Sequence, residues 1–114
     1  MIRVCLYKNN EGYIDRYSIK GHAGHDVKGQ DIVCAGVSVL AQTALISLVK
    51  ICGIKEDEVH YIIDEDEGIL DVTLPDLDMD IRNKTEIVLK TLEIGIISIV
   101  ENYPEYVTLI YREV

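Results

Sequence analysis

Basic side chains are scarce in this sequence. Across 114 residues, 11 Lys and Arg stand against 20 Asp and Glu, a net charge of -9. That balance repels phosphate backbones and argues against direct nucleic-acid binding. The deficit is sharpest from Glu56 to Asp80, which holds 11 of the acids and no Lys or Arg; one acidic surface is expected there, suited to a basic partner. Cysteine is sparse too. Cys5, Cys34 and Cys52 form neither a C-x-x-C pair nor an even-numbered disulfide framework, and the N-terminus lacks a basic-then-apolar signal segment, so free thiols and a cytoplasmic location are expected. The tyrosines are scattered, with no aromatic stripe interleaved with bases of the kind that stacks on nucleic acid. Repeats and low-complexity segments are absent.

What is there suits one globular domain over residues 1–114, for 48% of the residues are hydrophobic and a second domain has no room. Ile32 to Ile51 is about long enough to cross a bilayer at roughly 20 residues. It carries Ser38, Gln42, Thr43, Ser47 and Lys50, and the other elements are amphipathic faces that need it to pack on, so no membrane partner is expected. Met1–Lys8 and Tyr13–Lys20 are β-rich segments around Asn9-Asn10-Glu11-Gly12, which predicts a hairpin. Gly21–Gln30 holds three glycines and no apolar period, and is expected to be a loop. Asp31 then offers an N-cap for a helix over about Ile32–Cys52 closed by Gly53.

Glu58–Asp64 and Ile69–Leu74 predict a second hairpin around an acidic turn. The turn is not a calcium loop, because Gly68 falls fifth from Asp64 instead of sixth and Pro75 takes the twelfth place, where a Glu is needed. A second helix is expected from about Asp80 to Asn102, stopped by Tyr103-Pro104, and a last strand over Tyr106–Arg112. The order β-β-α-β-β-α-β implies an α+β fold, a mainly antiparallel sheet covered on one face by two long helices. From Ile87 to Val100 the second helix is apolar on more than one side, the pattern of a homodimer seam.

The chemistry concentrates in Gly21-His22-Ala23-Gly24-His25-Asp26-Val27-Lys28-Gly29-Gln30-Asp31-Ile32-Val33-Cys34. With Asp31 as N-cap, Cys34 is the third helical residue, where free amides and the helix dipole favour thiolate. On its own, such a cysteine is more often a small core residue. His22, twelve positions earlier, can fold back as general base and later protonate the leaving amine, although a loop His is usually just solvated. Gly21, Gly24 and Gly29 give the loop freedom to open and close over a substrate. Asp31 has two readings, helix cap and orienter of His22. Ser38, one turn after Cys34, either bonds the carbonyl four residues back or fixes site geometry. A zinc site from His22, His25, Asp31 and Cys34 is disfavoured, since the H-x-x-H lies in a glycine-rich loop, and no metal or other cofactor is expected. Cys5 and Cys52 read as packing residues, and His60 as a surface residue on a strand.

Gly21-His22-Ala23, Gly29, and Asp31-Ile32-Val33-Cys34-Ala35-Gly36-Val37-Ser38 together resemble the signature of the bacterial ribosomal-processing cysteine protease family. The resemblance implies a Cys34/His22 catalytic dyad, a small homodimer of helices on a sheet, and a ribosomal protein substrate. That substrate is large-subunit protein L twenty-seven, from which a short N-terminal extension is removed. His25 stands where members tend to carry an aromatic or other bulky residue, a rival base, and Gly36 stands where Ala is frequent. Two other readings share parts of this pattern: a non-catalytic acidic adaptor for a basic ribosomal protein, and a cysteine-dependent acyl hydrolase acting on small esters. The first needs no reactive thiol, and the second needs a closed pocket in place of a groove.

Overall fold

The computed structural model describes residues 1–21 and 28–114, with backbone alone for 28–31. Strands β1 (Ile2–Lys8) and β2 (Ile14–Lys20) form the first hairpin, followed by helix α1 (Lys28–Lys50), strands β3 (His60–Asp64) and β4 (Ile69–Thr73), helix α2 (Met79–Asn102) and strand β5 (Val107–Glu113). The expected element order is observed, with one short 3-10 turn added at Glu56–Glu58. The sheet order is β3-β4-β2-β1-β5. All pairings are antiparallel except β1 with β5, because α2 carries the chain across the sheet before β5 joins its edge.

The turns follow from their residues. Asn9 organises the first one: its side-chain oxygen accepts from the Glu11 and Tyr13 amides at 2.9 and 3.1 Å, and its side-chain nitrogen donates to Asp15 at 3.0 Å. Gly12 takes the left-handed φ of 88° that closes the hairpin. At the end of α1, Gly53 has φ 82°, which turns the chain so that the Ile54 amide reaches the Leu48 carbonyl at 3.2 Å.

Register shows that both helices share one face of the sheet. Leu6 lies opposite Tyr17 on one side and Tyr111 on the other, and residues directly opposite share a face. The Tyr17 hydroxyl donates to the Ala41 carbonyl of α1 at 2.9 Å, and the Tyr111 hydroxyl to Glu93 of α2 at 2.5 Å. Between these layers, Val4, Leu6, Ile14, Val37, Leu48, Val72, Leu89 and Ile96 are fully buried. Val33, Val37, Ala41, Ala44 and Leu48 give α1 its inward face. Ile32–Lys50 is long and apolar enough to cross a membrane, yet that inward face is part of the sheet's core, and withdrawing it would strip the sheet of half its cover.

The opposite sheet face has no helix among the described residues. Cys5 and Ser18 lie opposite each other there and are buried all the same. Arg16 spreads beside them, bonded to Asp71 at 2.6 and 2.8 Å and stacked 4.3 Å from the Tyr7 ring centre. Cys5 is thus packing, as expected, but on the face turned away from Val4 and Leu6.

The start of α1 corrects the sequence reading. The helix begins at Lys28, so Gly29, Gln30 and Asp31 are helical and the expected ten-residue loop ends before Lys28. Asp31 is the fourth helical residue and cannot be the N-cap. Asp31 is followed by an unbroken apolar run, and that made it look like a boundary. Helix formation extends one turn further back, because Lys28 and Gln30 are good helix formers and a single Gly costs only about 1 kcal/mol.

Candidate active site

Cys34 lies on α1 in a row with Val37, Ser38 and Ala41, spaced three, four and seven residues along one helix face. Val37 and Ala41 are buried, while Cys34 and Ser38 stay half-exposed. This row forms one wall of a groove of about 250 Å³. The facing wall is the end of the acidic hairpin, with Ile63, Asp64, Glu65, Gly68 and Ile69, and the floor is Ile2, Ile19 and Leu70 at the matching ends of β1, β2 and β4. The thiol therefore borders a cleft between a helix and a strand pair, apolar below and acidic at the rim.

The observed helix start moves Cys34 away from the position expected from the sequence. Counting from Lys28, Cys34 is the seventh helical residue, in the second turn. There its own amide is committed to the carbonyl four residues back. The dipole's influence also fades beyond the first turn. Cys34 therefore lacks the first-turn position that the sequence predicted for it.

His22, Gly24 and His25 lie outside the described residues. Gly21 is described, and its role is positional. It has φ 111°, and a Cβ there would collide with the Met1 carbonyl oxygen. Its amide donates to the Gly68 carbonyl at 3.0 Å. Gly21 is thus a fixed post that ties the chain leading to His22 onto the turn between β3 and β4. Ser38 accepts a hydrogen bond from the Gln42 side-chain amide at 3.0 Å. Both line the groove, and Gln42 is a site residue that the sequence reading missed. Its signal was the Ser-to-Gln spacing of four along a helix. In the sequence Asp64 and Glu65 read as part of the acidic surface and carry no link to Cys34, because nothing local says that the hairpin's end faces α1.

The other thiols are in different surroundings. Cys52 is buried, and burial pushes its thiol up, with Lys84 pulling the other way. Cys5 is buried on the helix-free face. Among the described residues, no three His, Cys, Asp or Glu come together as metal ligands.

Residues 1–108 match the family of cysteine protease Prp. The chain belongs to that family. It is 29% identical over 112 residues to the ribosomal processing cysteine protease Prp of Staphylococcus aureus, covering 98% of this chain and 100% of the relative. The Bacillus subtilis Prp is 26% identical over 106 residues, 92% of each chain. Among solved structures, SMU.848 from Streptococcus mutans superposes with a TM-score of 0.86 at 28% identity, covering 100% of this chain and 96% of the other. The S. aureus Prp with a covalently linked product peptide gives 0.83 at 27%, covering 98% and 100%. A second S. aureus Prp structure, in complex with a substrate peptide, shares the fold with a TM-score of 0.84 at 24% identity, covering 98% and 100%. The α+β architecture read from the sequence is the Prp fold, and the chain is a cysteine protease of the ribosomal-processing type.

Proposed function

We propose that this Prp protease removes the N-terminal extension of large-subunit ribosomal protein L twenty-seven, with Cys34 as nucleophile and His22 as its base. The observation that carries the reading is the position of Cys34: alone among the three thiols it is half-exposed, and it borders the groove. In the proposed reaction His22 takes the thiol proton, and Cys34 Sγ attacks the scissile carbonyl. His22 then protonates the leaving amine, and water hydrolyses the thioester to release the second product. Because Cys34 lies in the second helical turn, activation rests on His22 and not on the helix start. The S. aureus relative was solved with a covalently linked product peptide, which is the kind of adduct that such a nucleophile forms. A groove that is open among the described residues suits an extended polypeptide better than a small ester, and its acidic rim suits a basic ribosomal protein.

The protein is further proposed to act in the cytoplasm as a homodimer, without binding nucleic acid. In support, Ile87 and Ile94 on α2 are each 69% exposed, and Ile32, Val39 and Ile46 repeat along the outer face of α1. Three polypeptide samples test the main reading: wild type, Cys34→Ala and Cys34→Ser, each incubated with L twenty-seven carrying its extension. Mass spectrometry is expected to show loss of the extension with wild type only. An intact substrate after wild-type incubation overturns the assignment, and sedimentation of an Ile94→Asp variant as a monomer, against a wild-type dimer, checks the seam.

A further inference from the structure

A second cavity, of about 300 Å³, lies further along α1, between that helix and the edge strand β3. Leu45, Ile46, Val49 and Lys50 form its helical wall and Tyr61 and Ile63 its strand wall, and Glu56, which also lines it, accepts a hydrogen bond from the Tyr61 hydroxyl at 3.3 Å. Ile63 lines both this cavity and the groove at Cys34, so the two are neighbours along one trough. Tyr61 and Ile63 are 40% and 51% exposed, although they sit on the sheet face that is buried elsewhere. A bare apolar edge strand is a liability in a free protein unless something covers it.

We propose that this cavity is a distal specificity pocket, which takes an apolar or aromatic side chain of the substrate polypeptide several residues away from the scissile bond. The inference rests on the protease reading above and adds what that site selects. Leu45 and Val49 lie 11 and 15 residues beyond Cys34 on α1, roughly 16 to 22 Å along the helix axis. An extended chain covers that span in about five to seven residues. Asp64 and Glu65 line the groove at Cys34, whereas Glu56 and Lys50 both line the distal cavity. A substrate is therefore favoured when the side chains it sets in the groove at Cys34 are basic or neutral, while the distal cavity, with one charge of each sign, selects by apolar fit. The occupant is thus an extended peptide with an apolar anchor set about five to seven residues from the bond that is cut.

The test compares two synthetic peptides: one spanning the L twenty-seven extension and its junction, and one trimmed to four residues on each side of the scissile bond. Wild type is expected to cut the short peptide with KM about tenfold higher and kcat little changed, as loss of one partly buried apolar side chain implies. Tyr61→Ser is expected to raise KM for the long peptide about tenfold and leave the short one unaffected. Val49→Ser is expected to repeat that pattern from the opposite wall, with thermal melting confirming the fold of each variant. Equal cleavage of both peptides by wild type, or equal damage to both by the variants, overturns the pocket. Equal damage together with loss of self-association assigns the cavity to a second copy of this chain and also overturns it. If wild type cuts neither peptide, the substrate assignment itself falls with it, a result marked by the silence of the short peptide.

Discussion

Helices α1 and α2 are nearly equal in length, 23 and 24 residues, and share one face of the sheet, yet they are held there by different means. α2 is tied down by polar contacts along its first four turns. Arg82 pairs with Asp15 at 2.5 Å, Glu86 accepts the Ile14 amide at 2.6 Å, and Glu93 accepts the Tyr111 hydroxyl at 2.5 Å. α1 relies on apolar burial together with the bond from the Tyr17 hydroxyl to Ala41. The difference separates support from function: α2 closes its side of the sheet, whereas α1 leaves an open flank toward β3 in which Cys34 lies.

The largest expected effect breaks α1's role without touching its packing. Cys34→Ser should lower turnover by about a thousandfold or more, and His22→Ala by about a hundredfold, while urea unfolding of both matches wild type. Should His25→Ala prove more damaging than His22→Ala, the base is His25. The next test asks whether the two helices contribute equally to the core. Leu48 on α1 and Leu89 on α2 are 0% and 1% exposed, so either change to Ala should cost about 2 to 5 kcal/mol in chemical denaturation.

Smaller effects sharpen the contrast. Arg82→Ala leaves Asp15 without its cation in a partly buried place, and should cost about 2 kcal/mol, with no change in kcat. Tyr17→Phe removes the hydroxyl bond to Ala41 and should cost about 1 kcal/mol. Because that bond seats the wall carrying Cys34, KM should rise as well. Alkaline titration probes both helices at once. Burial raises Tyr17, and burial followed by the hydrogen bond to Glu93 raises Tyr111 from 10.0 to about 12. The folded state therefore favours the neutral phenol. Its contribution is fully present below the unfolded value near pH 10, and is lost as pH rises from there through about 12. Urea midpoints should be flat up to about pH 10 and fall above it, less steeply in Tyr111→Phe.

The smallest effects concern the helix starts. Asp78 caps α2, accepting the Ile81 amide at 2.9 Å, and Asp78→Ala should cost about 1 kcal/mol. Asp31→Ala, at the fourth position of α1, should leave stability unchanged or raise it by a few tenths of a kcal/mol, because Ala is the better helix former. Equal losses in thermal melts would restore Asp31 as a cap.

These starts show how far local signals carry. The Asn9–Gly12 turn, the Gly53 stop and the Tyr103-Pro104 stop were legible because each depends on backbone chemistry within a few residues. The α1 boundary was not, because Lys28, Gly29 and Gln30 add no apolar period, and periodicity was the signal being read. Gln42, Asp64 and Glu65 belong to the site only through the distance between a helix and a hairpin, which leaves no mark on either segment alone.

Alternation of apolar and polar residues, glycines where φ must be positive, and the Gly-His-Ala to Cys-Ala-Gly signature were enough to determine the element order, the α+β class and the family. Those features are local, set by sterics and by side-chain chemistry within one element. Only the tertiary structure decided that β5 lies parallel to β1, that Cys5 packs on the helix-free face, and that Cys34 sits in the second turn of α1 facing an acidic hairpin. Each of these depends on which surfaces bury one another, and burial is a property of pairs of elements distant in the chain.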